Sequence, residues 1–305
     1  MQVSLTGASG FVGQNLSVYL KENKIAGNVI SRIDLESGTL GRFDNSSTII
    51  HLAGKAHDLK NTTNSDEYYR VNYKLTRKLY DAFLQSKAKK FIFISSVKAV
   101  ADMAEGRLSE ECDSNPETHY GKSKLLAEQY IQAQLLPPDK RYYILRPCMI
   151  HGPGNKGNLN LLYKFVKKKI PYPLSAFENK RSFLSVENLC FVIKEIIEND
   201  LPSGIFHIAD DESLSTRELI KEIALNIGVQ PKLWPIPKPF IRQLAKIGDL
   251  LRLPLNTERL GKLTADYEVS NDKIKAVIGK QLPVSSRAGL RKTILSFKGR
   301  YDYFG

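Results

Sequence analysis

Cysteine is scarce. The 305 residues contain three, Cys112, Cys148 and Cys190, too few and too scattered for a disulfide framework or a cysteine-based zinc site. Such usage predicts a reducing compartment, and a cytoplasmic location is expected. The five histidines, His51, His57, His119, His151 and His207, form no HExxH motif and no close pair, so no metal site is expected. No apolar run approaches the roughly 18–20 residues of a membrane span, and no basic stretch followed by an apolar run marks a signal peptide. Membrane insertion is therefore not expected. Acidic residues are outnumbered, 32 Asp and Glu against 45 Lys and Arg, a formal balance of +13. That sign suits an anionic partner: a phosphorylated small molecule, nucleic acid or the face of an acidic membrane. The excess is spread along the chain. Its densest runs, Lys164, Lys167, Lys168 and Lys169, then Lys87, Lys89 and Lys90, sit among helix-forming residues and read as solvated faces.

The remaining composition, 42% hydrophobic and 25% charged, is that of an ordinary globular chain. Short apolar strands alternate with helical patterns. Residues 2–6, 28–33, 47–52, 91–95 and 141–146 read as strands, and residues 11–23, 66–86 and 120–134 as helices. The last of these stops before Pro137 and Pro138. This alternation predicts an α/β fold, a parallel sheet covered on both faces. A change of texture at about residue 150 divides the chain. Residues 1–155 read as a dinucleotide-binding domain, and 156–305 mainly as a smaller C-terminal substrate lobe, with about 183–200 returning to the main sheet. Within the lobe, Ser215-Thr-Arg-Glu218 is a capping box that opens a helix near 216–227.

Between the first strand and the first helix stands Thr6-Gly7-Ala8-Ser9-Gly10-Phe11-Val12-Gly13. Glycines 7, 10 and 13 allow a tight turn whose backbone N–H groups approach a pyrophosphate at the helix N-terminus. The spacing is GxxGxxG. Cofactor choice is set where the second strand ends, because an acid there binds ribose hydroxyls while an arginine pairs with a 2′-phosphate. Arg32 occupies that place, with Ser31 beside it, which favours NADP(H). Asp34 would take the ribose of NAD(H) if the strand ran longer.

Tyr120 and Lys124, in Tyr120-Gly-Lys-Ser-Lys124, share one helix face. An ammonium beside a phenol is expected to lower the phenol pKa from ~10, so that it can exchange a proton with a sugar oxygen while hydride moves at carbon. Ser95 and Ser96 end a strand about 24 residues upstream.

This combination resembles the extended short-chain dehydrogenase/reductase family of nucleotide-sugar epimerases, dehydratases and reductases, over nearly the whole chain. The resemblance implies a Rossmann-type doubly wound sheet. Cofactor contacts would come from Gly7, Ser9, Gly10, Phe11, Val12 and Gly13, then from Leu52, Ala53 and Gly54 of His51-Leu-Ala-Gly54, and from Tyr120 and Lys124. Ser96, with Ser95 as its stand-in, would be the catalytic hydroxyl, Tyr120 the proton carrier and Lys124 its partner. Asn72, in Val71-Asn72, would support a relay water. Asn158 and Leu159 resemble residues that hold a nucleotide diphosphate, Arg181 resembles the arginine that clamps it, and Arg259 aligns loosely with a second one. The sequence departs from dehydratases, because Val97-Lys98 rather than Asp-Glu follows Ser96. The implied activity is NADPH-dependent C4-keto reduction of a UDP-4-keto-6-deoxy-N-acetylhexosamine for bacterial surface polysaccharide. An NAD-dependent UDP-hexose 4-epimerase shares every catalytic residue. A dinucleotide-sensing regulator without activity would need only the turn. A UDP-sugar substrate and a homodimer through helices 66–86 and 120–134 are implied, and no nucleic-acid partner.

Overall fold

A computed structural model describes residues 1–37, 45–56, 65–104, 106–155, 157–251 and 255–299. His57 and the aromatic tail from residue 300 onward lie outside them. The strands are β1 (Gln2–Thr6), β2 (Ala26–Ile30), β3 (Thr48–His51), β4 (Lys90–Ile94), β5 (Arg107–Leu108), β6 (Arg141–Pro147), β7 (Met149–His151), β8 (Phe183–Ser185), β9 (Gly204–Ile208) and β10 (Glu268–Val269). The helices of the first half are α1 (Phe11–Glu22), α2 (Arg32–Ser37), α3 (Ser65–Tyr68), α4 (Leu75–Gln85) and α5 (His119–Ala133). Those of the second half are α6 (Asn158–Lys167), α7 (Val186–Glu198), α8 (Thr216–Ile227), α9 (Lys238–Leu251), α10 (Thr257–Thr264), α11 (Asp272–Ile278) and α12 (Ser286–Ser296).

Six strands form one parallel sheet in the order β2-β1-β3-β4-β6-β9. Successive side chains of a strand point to opposite faces, and the apolar runs that identified these strands fill both. Phe91, Phe93, Ile49 and Ile144 pack with Leu79, Phe83 and Ile131 of α4 and α5 on one face. Ile92, Ile94, Ile50 and Leu145 pack with Leu16 of α1 and with Leu189 and Ile193 of α7 on the other. The chain leaves β1 in one direction to build β2 and returns past it to build β3. The crevice at the C-terminal ends of β1 and β3 is thus a topological switch point, where open α/β sheets bind ligands.

Several boundaries differ from the sequence reading. β2 runs over Ala26–Ile30 rather than 28–33, because Ser31 opens a helical turn: its backbone N–H and hydroxyl both donate to Asp34 Oδ2, at 3.1 and 2.8 Å. The helix expected over 66–86 is broken by a π-helical stretch, Tyr69–Lys74, between α3 and α4. The expected return of 183–200 to the main sheet takes another form. β8 pairs with β7 in a separate small sheet, α7 covers the main sheet, and β9 supplies its last strand. The capping box at Ser215 and Glu218 forms, and α8 spans Thr216–Ile227.

Candidate active site

The turn after β1 is built for a close approach. Gly7 has φ +71°, and a Cβ there would lie 2.6 Å from the Ala53 backbone nitrogen. A Cβ on Gly13 would lie 2.2 Å from the Gly7 carbonyl oxygen. The glycines therefore let α1 sit down on the turn and let the turn touch the segment after β3. Gly10 is the N-cap of α1 and offers no side chain to cap it, and the first turn carries no acid. Its backbone N–H groups are suited to an anion. The cradle fits the pyrophosphate of a dinucleotide.

His51, at the end of β3, joins three parts of this crevice. Its Nδ1 is 2.7 Å from Thr6 Oγ1 and its Nε2 is 2.9 Å from Thr76 Oγ1. The Thr76 hydroxyl donates to the Asn72 carbonyl at 2.7 Å, and Thr6 Oγ1 accepts from the Ala53 N–H at 3.2 Å. These directions make Nε2 the protonated nitrogen and Nδ1 the acceptor. Burial, aided by the Lys124 charge, pushes the imidazole down to about 3, so it stays neutral.

Asn72 lies in the π-helical stretch, and its amide is committed. Its Oδ1 accepts from the Lys55 N–H at 2.7 Å, while Nδ2 donates to the Lys55 carbonyl and to Ser123 Oγ, each at 3.0 Å. Three bonds leave one acceptor lone pair. The side chain pins the segment after β3 to the helix of Tyr120 and Lys124, and the remaining lone pair is the one place left for the expected relay water.

The two serines after β4 are separated by their partners. Ser95 donates to Glu128 Oε1, whose carboxylate also receives Arg146 Nη2 at 2.5 Å in a buried ion pair. Ser96 begins a short 3-10 turn, accepting from the Lys98 N–H at 3.2 Å, and its hydroxyl hydrogen-bonds the Tyr120 phenol. Ser96 is therefore the serine that meets Tyr120, while Ser95 is engaged by the buried Glu128. Glu128 and Arg146 were visible in the sequence only as parts of the matched motifs; a carboxylate on the buried side of α5 was the signal for such a pair.

Thr118 caps α5 by accepting from the Gly121 N–H at 3.2 Å, which sets Tyr120 in the first turn. The Tyr120 ring packs edge-on to Tyr68 at 6.3 Å. Its pKa is raised above the ordinary phenol value by burial, with the Ser96 hydrogen bond opposing. The lowering expected from Lys124 is not found, because burial sets the direction. Lys124 is itself pushed down to about 8 by burial, with Glu128 opposing. Its Nζ donates to the Ile94 carbonyl at 2.8 Å and lies 4.7 Å from the Phe93 ring centroid. A Cβ on Gly54 would come within 3.0 Å of that Nζ, so Lys124 reaches the segment expected to line the cofactor.

Arg32 is two residues beyond the end of β2, in the first turn of α2. Its Nε pairs with Glu36 Oε1 at 2.9 Å, and Arg70 shares that carboxylate at 2.8 Å. The two arginines hold Glu36 below the usual carboxylate range. Asp34, the rival for a ribose, binds Ser31.

Asn158, Leu159 and Arg181 line one cavity of about 420 Å³, walled also by Phe165, Phe183 and Leu263. Arg181 donates from Nε to the Ala265 carbonyl at 3.2 Å and from Nη2 to that of Lys262. Arg259 stands on α10, whose N-cap Asn256 accepts from its backbone N–H at 2.8 Å. Lys98, read in the sequence only as a departure from dehydratases, belongs to the same region. Its ammonium donates to the Asp102 carbonyl at 2.6 Å and lies 4.3 Å from the Tyr267 ring centroid. Burial lowers its pKa; Asp102 opposes, and Arg181 and Lys262 push further down. The charges of Arg181 and Lys262 are thus felt at Lys98, two residues after Ser96. Among the described residues no group of His, Cys, Asp and Glu could hold a metal ion.

A glycine turn at a switch point, with a serine, tyrosine and lysine beside it, defines a dinucleotide-binding protein equipped for proton transfer. Residues 3–209 match the model of the NAD dependent epimerase/dehydratase family, and the chain belongs to that family. It is 30% identical, over 97% of its length and 95% of the relative's, to a UDP-glucose 4-epimerase of Vibrio cholerae. It is 29% identical, over 96% of its length and 94% of the relative's, to an N-acetyl-alpha-D-glucosaminyl-diphospho-ditrans,octacis-undecaprenol 4-epimerase of Escherichia coli O157:H7. A UDP-N-acetylglucosamine 4-epimerase from Bacillus cereus shares the fold with a TM-score of 0.78 at 18% identity, over 98% of this chain and 100% of that one. The chain is accordingly an enzyme of the nicotinamide-dependent kind, and the regulator without activity is set aside.

Proposed function

We propose that the protein is an NADPH-dependent reductase of the C4 keto group of a UDP-4-keto-6-deoxy-N-acetylhexosamine. A bound dihydronicotinamide supplies hydride to the sugar carbon. Tyr120 gives its phenolic proton to the 4-keto oxygen as the C–H bond forms and the C=O π bond becomes C–O–H, so that NADPH, a proton and ketone become NADP⁺ and alcohol. Ser96 donates a hydrogen bond to that oxygen and fixes its position. Lys124, next to Gly54, holds the ribose of the nicotinamide. Arg181, Asn158 and Leu159 receive the nucleotide diphosphate.

The observation that carries the reading is the place of Arg32, in the first turn of α2 just beyond β2, where the 2′-phosphate of NADPH would lie. Asp34 is engaged by Ser31. Burial keeps the Tyr120 phenol protonated, as a proton donor must be. The test is consumption of NADPH by a 4-keto-6-deoxy sugar nucleotide, with NADH as the comparison. The second reading, a UDP-hexose 4-epimerase with retained NAD, is favoured by the Vibrio cholerae relative. It predicts inversion at C4 with no net use of cofactor.

A further inference from the structure

The helix α9 of the C-terminal lobe carries a row of exposed apolar residues. On α9, Ile241 and Ala245 pack with Leu174, Phe177 and Leu260. On the adjoining side Phe240, Leu244, Ile247 and Leu251 follow at steps of four, three and four residues, the spacing of a single helical stripe. They are exposed by 53, 40, 49 and 61%. Leu250, at 82%, widens the stripe, and Trp234, at 54%, stands just ahead of the helix. A contiguous apolar patch of this kind marks an interaction surface.

Cations border it. Lys238, Arg242 and Lys246 run at four-residue spacing along another side of α9 and line a groove of about 450 Å³ against α10. The Tyr172 N–H donates to the Lys232 carbonyl at 2.8 Å, and the Trp234 N–H donates to the Tyr172 carbonyl at 2.9 Å. This pairing lays Tyr172, two residues after the exposed Ile170, beside Lys232 and Trp234. Among the described residues, none of Lys168, Lys169, Lys232, Arg242 and Lys246 forms an ion pair.

We propose that this surface, the exposed stripe of α9 with Trp234 and its bordering lysines and arginine, docks the protein on an anionic lipid bilayer. The stripe enters the boundary between headgroups and acyl chains, the indole lies at the interface, and the long cationic side chains reach up to lipid phosphates. Charge decides against a second copy on the same stripe. A two-fold contact would bring the three cations of each α9 together, and α9 carries only Asp249 to offset them. No helix among the described residues is long and apolar enough to cross a membrane, so the docking is peripheral. α10, which forms the groove with α9, also sends Leu263 into the cavity of Arg181. The docked face therefore borders the candidate substrate site. The inference does not depend on which sugar reaction that site performs.

The test is sedimentation of the full chain with vesicles of phosphatidylglycerol and phosphatidylcholine, against phosphatidylcholine alone. The wild type is expected to sediment with the anionic vesicles, far less with the neutral ones, and less as salt rises. Two double variants, Leu244→Gln with Ile247→Gln and Arg242→Glu with Lys246→Glu, are each expected to lose about tenfold in binding. Both should bind NADPH as the wild type does, which shows that they fold. Wild type that stays in solution with anionic vesicles, or double variants that bind as well as it does, would overturn the proposal. So would a wild-type dimer that ignores vesicles and is split by the Leu244 and Ile247 changes, which would assign the stripe to a second copy.

Discussion

Lys124 donates its ammonium to the carbonyl oxygen of Ile94 at 2.8 Å, tying the helix of the tyrosine to the last residue of β4. The bond sits where burial lowers the lysine pKa to about 8, well under its ordinary value. The folded protein therefore releases this proton before the unfolded chain does. Between about pH 8 and the ordinary lysine value the unfolded state binds more protons, so stability rises with pH in that window. In cofactor-free protein, the wild type should gain about 2 kcal/mol relative to Lys124→Met between about pH 7 and pH 9.5. Urea unfolding at the two pH values reads the difference. A constant gap would show that the lysine is not desolvated.

The adjacent serines should separate cleanly. Ser96→Ala removes the hydroxyl that meets Tyr120 and should lower kcat about 10–1000-fold with stability little changed. Ser95→Ala removes a bond from the buried Glu128–Arg146 pair and should cost about 1–3 kcal/mol of stability while sparing kcat. Parallel turnover and urea measurements on the two variants check this. The opposite pattern would exchange their roles.

Much of this was legible in the sequence. Short apolar runs located β4 and β6, because their side chains fill two apolar faces. The glycine spacing located the cofactor turn, because only glycine permits the approach of Gly13 to Gly7. What was not legible depended on partners far away in the chain. The resemblance points to Ser96 over Ser95, but the partner that engages Ser95, Glu128, stands 33 residues away and was not foreseen. The fate of Asn72 is decided by Lys55 and by the π-helical turn that aims it. The end of β2 was misplaced because Ser31 and Asp34 close a local turn that competes with the strand. Burial, which sets the direction of the Tyr120 pKa in the cofactor-free protein, is not shown by the spacing of Tyr120 and Lys124.

In the proposed reductase Arg32 would set the cofactor preference, and Glu36 competes for it. Arg32→Ala should weaken NADPH about 10–100-fold more than NADH, the loss of a charge-assisted contact. Glu36→Gln should instead tighten NADPH by a few-fold, roughly the release of one exposed ion pair. Titration of cofactor fluorescence measures both. Equal losses for NADPH and NADH in Arg32→Ala would move the 2′-phosphate elsewhere.

His51 should act as a neutral spacer. His51→Ala removes one hydrogen bond from each of the buried Thr6 and Thr76 hydroxyls, leaves a cavity, and should cost about 2–4 kcal/mol. Because its pKa is about 3, activity should show no step assignable to His51 between about pH 5 and pH 8. A pH–rate profile of the wild type checks the second point.

The most direct measurement follows deuterium from NADPH labelled at C4 of the dihydronicotinamide into a UDP-4-keto-6-deoxy-N-acetylhexosamine, read by mass spectrometry of the product. With wild-type protein the label should appear at C4 of the sugar with equal loss of NADPH. Tyr120→Phe should lose about 100–10000-fold in rate while binding cofactor normally. Unlabelled product, full activity in Tyr120→Phe, or C4 inversion of a UDP-hexose without NADPH loss from protein that ignores the keto sugar would contradict the reductase.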